Sequence, residues 1–178
     1  RAKMLAEILR LKSSVTIAGS HGKTTTTSLI SCILEEGKLD PTVINGGIIN
    51  TYKTNAKLGK GDWIIAEADE SDGSFTYLPS TICLINNIDP EHLDFYGTFE
   101  KLKKAFIKYT DNVPFYGFIS ICADHENLKT LIKKITNKKI ITFGLTKSAG
   151  ISAKNIKVIE KNEVFYTQFD LIINIKEY

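Results

Sequence analysis

The stretch Val15-Thr16-Ile17-Ala18-Gly19-Ser20-His21-Gly22-Lys23-Thr24-Thr25 reads as a β-branched strand, a glycine-bracketed turn and the first residues of a helix. Glycines allow the tight backbone turns that such a loop needs, and free amides at a helix N-terminus point toward an anion. In this setting Lys23 would neutralise phosphate charge and the Thr24 hydroxyl would ligate magnesium. Gly19, Ser20, His21, Gly22, Lys23, Thr24 and Thr25 are therefore the candidate phosphate-binding residues. One departure stands out: the general pattern has a glycine five positions before Gly22, where this chain has Ile17. The loop is the shorter form GxxGKT. A Gly-Lys-Thr triplet can also open a helix by chance, its threonines serving as caps. The strand before it, the helix after it and the additional glycine favour a phosphate loop.

Working outward, the same alternation of strand and helix recurs. Residues 1–14 predict a helix, with Met4, Leu5, Ile8, Leu9 and Leu11 near helical spacing. Leu29, Ile30, Ile33 and Leu34 predict a second helix over 23–36, closed by Gly37. Short apolar strands are expected at 42–44, 63–66, 81–85, 118–121 and 140–143, with helices at 99–109 and 126–135. Such strands argue for a parallel sheet covered on both faces. The polar clusters Asn45-Gly46-Gly47, Glu67-Ala68-Asp69-Glu70 and Asn86-Asn87 each follow a strand, where open α/β sheets bind ligands. After Gly150 the pattern changes to three short strands at 156–159, 164–167 and 171–173, with turns at Lys161-Asn162 and near Gln168. No helical crossover separates them, so a small antiparallel sheet is expected. The fold class is α/β: a mostly parallel sheet flanked by helices, with a leading helix at 1–14, a core at 15–148 and the antiparallel part at 150–178.

Composition narrows the function classes. The 178 residues suit one domain with a substantial core. A formal charge of +3 with scattered lysines lacks the basic stripe that nucleic acid requires. No apolar run reaches the roughly 18 residues of a membrane span, so neither a nucleic-acid nor a membrane partner is expected. Cys32, Cys83 and Cys122 are far apart, without a CxxC pair, and each sits in an apolar stretch. They read as buried free thiols in a reducing, cytoplasmic compartment.

Two polar segments carry further chemistry. Glu67 directly follows a buried strand, within the acidic run EADESD (67–72). Parallel strands bring their C-terminal ends together, so this carboxylate could reach a magnesium held by Thr24; a solvated acidic loop is the bland alternative. In NNIDPEHLD (86–94) His92 stands among carboxylates after another strand end. A carboxylate could fix its tautomer and leave the other nitrogen for a second metal. His21 could only approach the nucleotide or shape the loop. His125, at a strand-to-helix junction, reads as structural or as a minor neighbour of the nucleotide.

Taken together, MLAEILRLKSSVTIAGSHGKTTTTSLI, LDPTVINGG, AEADESDGSF, NNIDPEHLDFYGTFEKLKKAF and VPFYG resemble the ATP-dependent amide-bond ligases of peptidoglycan assembly, the Mur ligases. The match covers most of residues 1 to about 120, in family order. It implies the central ATP-binding domain, with UDP-N-acetylmuramate and L-alanine as substrates held mostly by domains outside this chain. The implied reaction phosphorylates the muramoyl carboxylate with ATP, and the amine of L-alanine then displaces phosphate from the acyl phosphate. By resemblance, Lys23 and Thr24 are the phosphate-loop lysine and threonine. Glu67 is the magnesium-ligating glutamate, His92 the histidine associated with a second metal, and Asn87, Asp89 and Asp94 are supporting residues. The catalytic set is then Lys23, Glu67 and His92, with Thr24, Glu67 and His92 at the metals and ATP and Mg2+ as cofactors.

The absence of an initiator methionine and the stop at Tyr178 fit a piece of a longer enzyme, expected not to turn over alone. Other readings stay open: a tripeptide-recycling or folate-glutamate ligase of the same fold, a non-catalytic ATP-binding module, or a generic doubly wound domain.

Overall fold

A computed structural model describes residues 2–49 and 53–175. In chain order the elements are α1 (Ala2–Leu9), β1 (Ser13–Ala18), α2 (Lys23–Glu36), β2 (Thr42–Ile49), β3 (Thr54–Lys57), β4 (Trp63–Glu67), β5 (Ile82–Ile85), α3 (Leu93–Tyr96), α4 (Phe99–Asp111), β6 (Phe118–Cys122), α5 (Glu126–Ile132), β7 (Ile140–Gly144), β8 (Ile151–Lys161) and β9 (Val164–Ile173). A short 3-10 turn, Ser74–Tyr77, lies between β4 and β5. The strands form one sheet in the order β3-β2-β4-β1-β5-β6-β7-β8-β9. Pairing is parallel from β2 through β8 and antiparallel at both edges, β2 with β3 and β8 with β9.

The order explains where a ligand site belongs. From β1 the chain crosses through α2 to β2 and returns to β4, on one side of β1. It then passes to β5 on the other side. The C-terminal ends of β1, β4 and β5 therefore meet at the point where the winding direction reverses, the crevice such sheets use for ligands.

Alternation within the strands divides the core. Val15 and Ile17 of β1, Val43 and Ile65 pack under Ile30 and Leu34 of α2. On the opposite face Ala18, Ile64, Ala66, Cys83, Ile85, Ile119 and Ile121 pack against α1, α4 and α5 through Leu9, Leu102, Phe106, Tyr109, Leu128 and Leu131. Leu102, Phe106 and Tyr109 recur at four and three residues, the spacing of one helical face. Thr98 caps α4, its side chain accepting from the Lys101 amide at 3.3 Å.

Cover on the two faces is uneven, where full cover was expected. Beside α2, Ile82, Leu84, Phe118, Ile141 and Ile151 line an open apolar groove of about 500 Å³.

Several boundaries differ from the sequence reading. The first helix ends at Leu9 rather than residue 14, because the Ser13 amide is already bonded to Asp62 O at 3.0 Å and Ser13 registers with Trp63. Arg1, within that expected helix, lies outside the described residues. α5 stops at Ile132 and tightens into a turn through Lys134 N to Leu131 O at 2.9 Å. β2 runs on through Asn45-Gly46-Gly47, and edge strand β3 has no apolar alternation to announce it. The end of the chain is a hairpin of two long strands, not three short ones. Its two-residue turn is Asn162-Glu163, both at positive φ, one residue beyond the expected position. Near Gln168 the chain does not turn; the ladder instead shifts register there, Lys157 pairing with Gln168 and Lys154 with Asp170, with Asn155 at positive φ. This hairpin extends the main sheet, since β8 pairs with β7 through Phe143 and Gly144. The chain end at Tyr178 lies outside the described residues. Cys83 is buried and Cys122 half-buried, but Cys32 is exposed on α2, against the expectation of three buried thiols.

Candidate phosphate and metal site

The loop after β1 takes the form that the glycines permit. Gly19 and Gly22 have φ of 142° and 78°, values that side-chain-bearing residues rarely adopt. A Cβ on Gly19 would also lie 3.1–3.2 Å from Asn86 and Asn87, so β1 and β5 approach too closely there for any side chain. Residues following β5 hold the loop. The Asn87 side chain accepts from the His21 amide at 2.8 Å and donates to His21 O at 3.0 Å. Asn86 Nδ2 donates to Thr26 Oγ1 at 3.0 Å, and Ser20 Oγ accepts from the Asp89 amide at 2.9 Å. Asn86 was read in the sequence only as part of the polar cluster after β5, not as a site residue, although it stands beside Asn87 in the same run.

α2 begins at Lys23, directly after the loop. Lys23 Nζ donates to Gly19 O at 2.7 Å and to both oxygens of Glu70, at 2.9 and 3.1 Å. The Glu70 side chain is 0% exposed and that of Lys23 13%. Thr24 Oγ1 donates to Glu67 Oε2 at 3.1 Å, and the same oxygen accepts from the Gly46 amide at 2.9 Å. The first turn of α2 and the backbone of β2 thus converge on the Glu67 carboxylate at the end of β4. Thr25 is exposed in the first turn of α2.

His92 has φ of 53° and heads the short helix α3. Its Nε2 lies 3.9 Å from Glu70 Oε1. Among the described residues, Glu70, Glu91 and His92 offer ligand atoms within 4.8 Å of one another. Asp89 stands between two histidines, with His21 Nε2 at 3.6 Å and His125 Nε2 at 3.4 Å; His21 also lies 3.5 Å from Glu91. His125 therefore reaches the loop network rather than serving only its own helix. Asp94 is exposed in the first turn of α3.

The Tyr96 hydroxyl donates to the Glu70 carbonyl. Burial, then the charges of Glu70, Asp72 and Asp69, push that phenol up to about 12, so it stays a donor. Asp72 is held below the usual carboxylate range by hydrogen bonds from Ser74. A cavity of about 890 Å³ opens beside Glu67, between α1 and the segment after β4, with Leu5, Ile44, Asp69 and Phe75 in its wall.

Chemically, the Thr24 hydroxyl and the Glu67 carboxylate are a pair of hard oxygen donors beside a phosphate loop, which fits magnesium. Glu70, Glu91 and His92 form a second set of possible ligands.

Fold and site define a doubly wound α/β domain of the phosphate-loop class. The comparisons narrow this: residues 17–176 match the Mur ligase middle domain, and the chain belongs to that family. A UDP-N-acetylmuramate–L-alanine ligase of Parvibaculum lavamentivorans is 55% identical over 165 residues, 93% of this chain and 34% of the relative. One of the same name from Rhizorhabdus wittichii is 49% identical over 177 residues, 99% of this chain and 37% of the relative. The chain thus spans about a third of the length of the curated relatives it matches. Among solved structures, UDP-N-acetylmuramate-alanine ligase of Thermotoga maritima is similar at a TM-score of 0.78 and 24% identity, over 100% of this chain and 39% of that one. A UDP-N-acetylmuramate:L-alanyl-gamma-D-glutamyl-meso-diaminopimelate ligase of Neisseria gives 0.79 and 22%, over 97% and 56%. These two likenesses show the fold.

Proposed function

We propose that this chain is the central ATP-binding domain of a ligase that joins L-alanine to UDP-N-acetylmuramate in peptidoglycan precursor synthesis. The observation that carries the proposal is the convergence of Lys23, Thr24 and Glu67 at the switch point of the sheet. Relatives about half identical along nearly the whole chain, and named for L-alanine, support the choice of amino acid. The fold does not favour it over the tripeptide ligase, because both solved structures match almost equally well.

ATP would supply the phosphoryl group that turns a carboxylate into an acyl phosphate, and magnesium the positive charge beside the phosphates. Lys23 is suited to neutralise charge that develops on the transferred phosphate. The loop amides, fixed by Asn87 and Ser20, present donors without needing to reorganise. Thr24 and Glu67 would hold the first cation, with Glu67 oriented by the Gly46 amide. His92 stands ready for a second cation with a carboxylate of the Glu70–Glu91 set. The cavity beside Glu67 gives a second substrate room to reach the site. Segments outside this chain would complete the substrate sites, so the chain alone is expected not to turn over.

The test uses the full-length parent enzyme. Phosphate release from Mg·ATP is measured with UDP-N-acetylmuramate and L-alanine, glycine, serine or the cell-wall tripeptide. Release that requires the UDP-sugar and L-alanine together is expected. Lys23→Ala should lower it by about a hundredfold or more. Release with tripeptide alone would move the chain to the recycling ligase, and ATP binding without acceptor-dependent release would leave a binding module.

A further inference from the structure

Glu70 is the one carboxylate of the run 67–72 that is wholly enclosed, and it lies against Lys23. Its backbone is pinned twice, by the Tyr96 hydroxyl and by the Gly73 amide, which reaches Glu70 O at 3.1 Å. A carboxylate removed from water is unfavourable unless paired, and the pairing here is to both oxygens at 2.9 and 3.1 Å. His92, 3.9 Å away and uncharged unless protonated, is a weaker neighbour.

We propose that Glu70 is a positioning residue for Lys23. An ammonium has three N–H donors. One goes to Gly19 O and one can be shared between the two Glu70 oxygens, at 2.9 and 3.1 Å, which leaves the third for a phosphate oxygen. A free lysine would have to lose the freedom of four side-chain torsions when nucleotide arrives; one already clamped from both sides does not. In this role the carboxylate acts through Lys23 and touches no phosphate itself. The inference rests on the phosphate-site reading for its purpose, but not for the clamp itself.

The test compares this chain with Glu70→Gln, Glu70→Ala, Lys23→Met and the Lys23→Met/Glu70→Gln pair. Mg·ATP affinity is measured by calorimetry, with the melting temperature of each variant alongside. Glu70→Ala is expected to weaken Mg·ATP about tenfold or more, because it releases a hydrogen bond to a charged group. Glu70→Gln should stay within about threefold, since its amide oxygen still accepts from Nζ. In the Lys23→Met background Glu70→Gln should weaken binding no further, and it should raise the melting temperature by relieving an unpaired buried charge. Glu70→Ala that melts normally and binds Mg·ATP as tightly as wild type, or more tightly, overturns the proposal: Glu70 would then only compete with phosphate for Lys23.

A second arm needs no nucleotide. With lysines labelled at the ε-carbon, the Lys23 signal, assigned by its loss in Lys23→Met, should stand apart from surface lysines in wild type and Glu70→Gln. It should join them in Glu70→Ala. A Lys23 signal indifferent to both changes overturns the clamp. A wild-type chain that shows this clamp but does not bind Mg·ATP counts against the phosphate-site reading alone.

Discussion

Glu67 and Glu70 stand three residues apart in one acidic run, yet the fold gives them different partners. Glu67 ends β4 facing the Thr24 hydroxyl, whereas Glu70 turns inward to Lys23. The run was legible as a candidate site, but which carboxylate would be buried was not. That choice depends on Tyr96, whose hydroxyl comes from a helix 26 residues away. Buried polar groups elsewhere behave similarly. Tyr109 is fully buried and hydrogen-bonds Thr16, which in turn bonds Ser80. Tyr109→Phe should destabilise the chain by about 1–3 kcal/mol in urea unfolding, since it strips a partner from buried hydroxyls. Burial, partly offset by a hydrogen bond with Tyr109, pushes the Cys83 thiol from 9.0 up to about 12. A native chain treated with iodoacetamide at pH 8 should therefore label Cys32 and spare Cys83 until it unfolds. The sign of the pH effect follows. The fold keeps Cys83 protonated, so its stability contribution is intact below pH 9.0 and falls as pH rises toward about 12. Alkaline melting curves would show this loss, and Cys83→Ser should reduce the slope.

At the scale of elements, apolar spacing located the helices and buried strands, while their ends were decided by backbone geometry. α2 shows this well. Gly37 follows the helix as expected, but it has φ of −70° and the left-handed residue is Lys38, at 61°. Lys38 N bonds Glu35 O at 2.8 Å and Leu39 N bonds Leu34 O at 2.9 Å, the paired bonds of a Schellman ending. Lys38→Gly should accordingly stabilise the chain by about 0.5–1 kcal/mol, the left-handed strain of lysine less the added freedom of glycine in the unfolded chain. Glu163→Gly, in the β8–β9 turn at φ of 62°, should act in the same direction. Urea midpoints at unchanged slope would verify both. β3 escaped notice because Thr-Asn-Ala-Lys carries no period. It is held by pairing with β2 and by Lys57, which reaches Glu35 and Asp40.

For the whole molecule, the order of the strands matters more than any one of them. β1 lies inside the sheet with β4 and β5 on either side, so segments 40 to 70 residues apart meet at one crevice. Ligand binding should therefore brace the domain as a unit. At a hundredfold excess over its dissociation constant, Mg·ATP should add about 2.7 kcal/mol of stability, a rise of roughly 5–10 °C in melting temperature for a chain of this size. Lys23→Ala should abolish most of that rise in a thermal scan. An unchanged melting temperature in wild type at that concentration would count against nucleotide binding by this chain.

The sequence by itself determined the glycine-bracketed loop between β1 and α2, the alternation of strands with helices and the carboxylate at the end of β4. Each is a local matter: glycine conformational freedom, side-chain period, a residue placed next to a strand. Only the tertiary structure decided that Glu70 is enclosed against Lys23, that Asn86 and Asn87 brace the loop, that His125 shares Asp89 with His21, and that the terminal hairpin extends the main sheet. These depend on which strands become neighbours. That follows from burying the faces of the sheet together, a property of the whole chain that no short window contains.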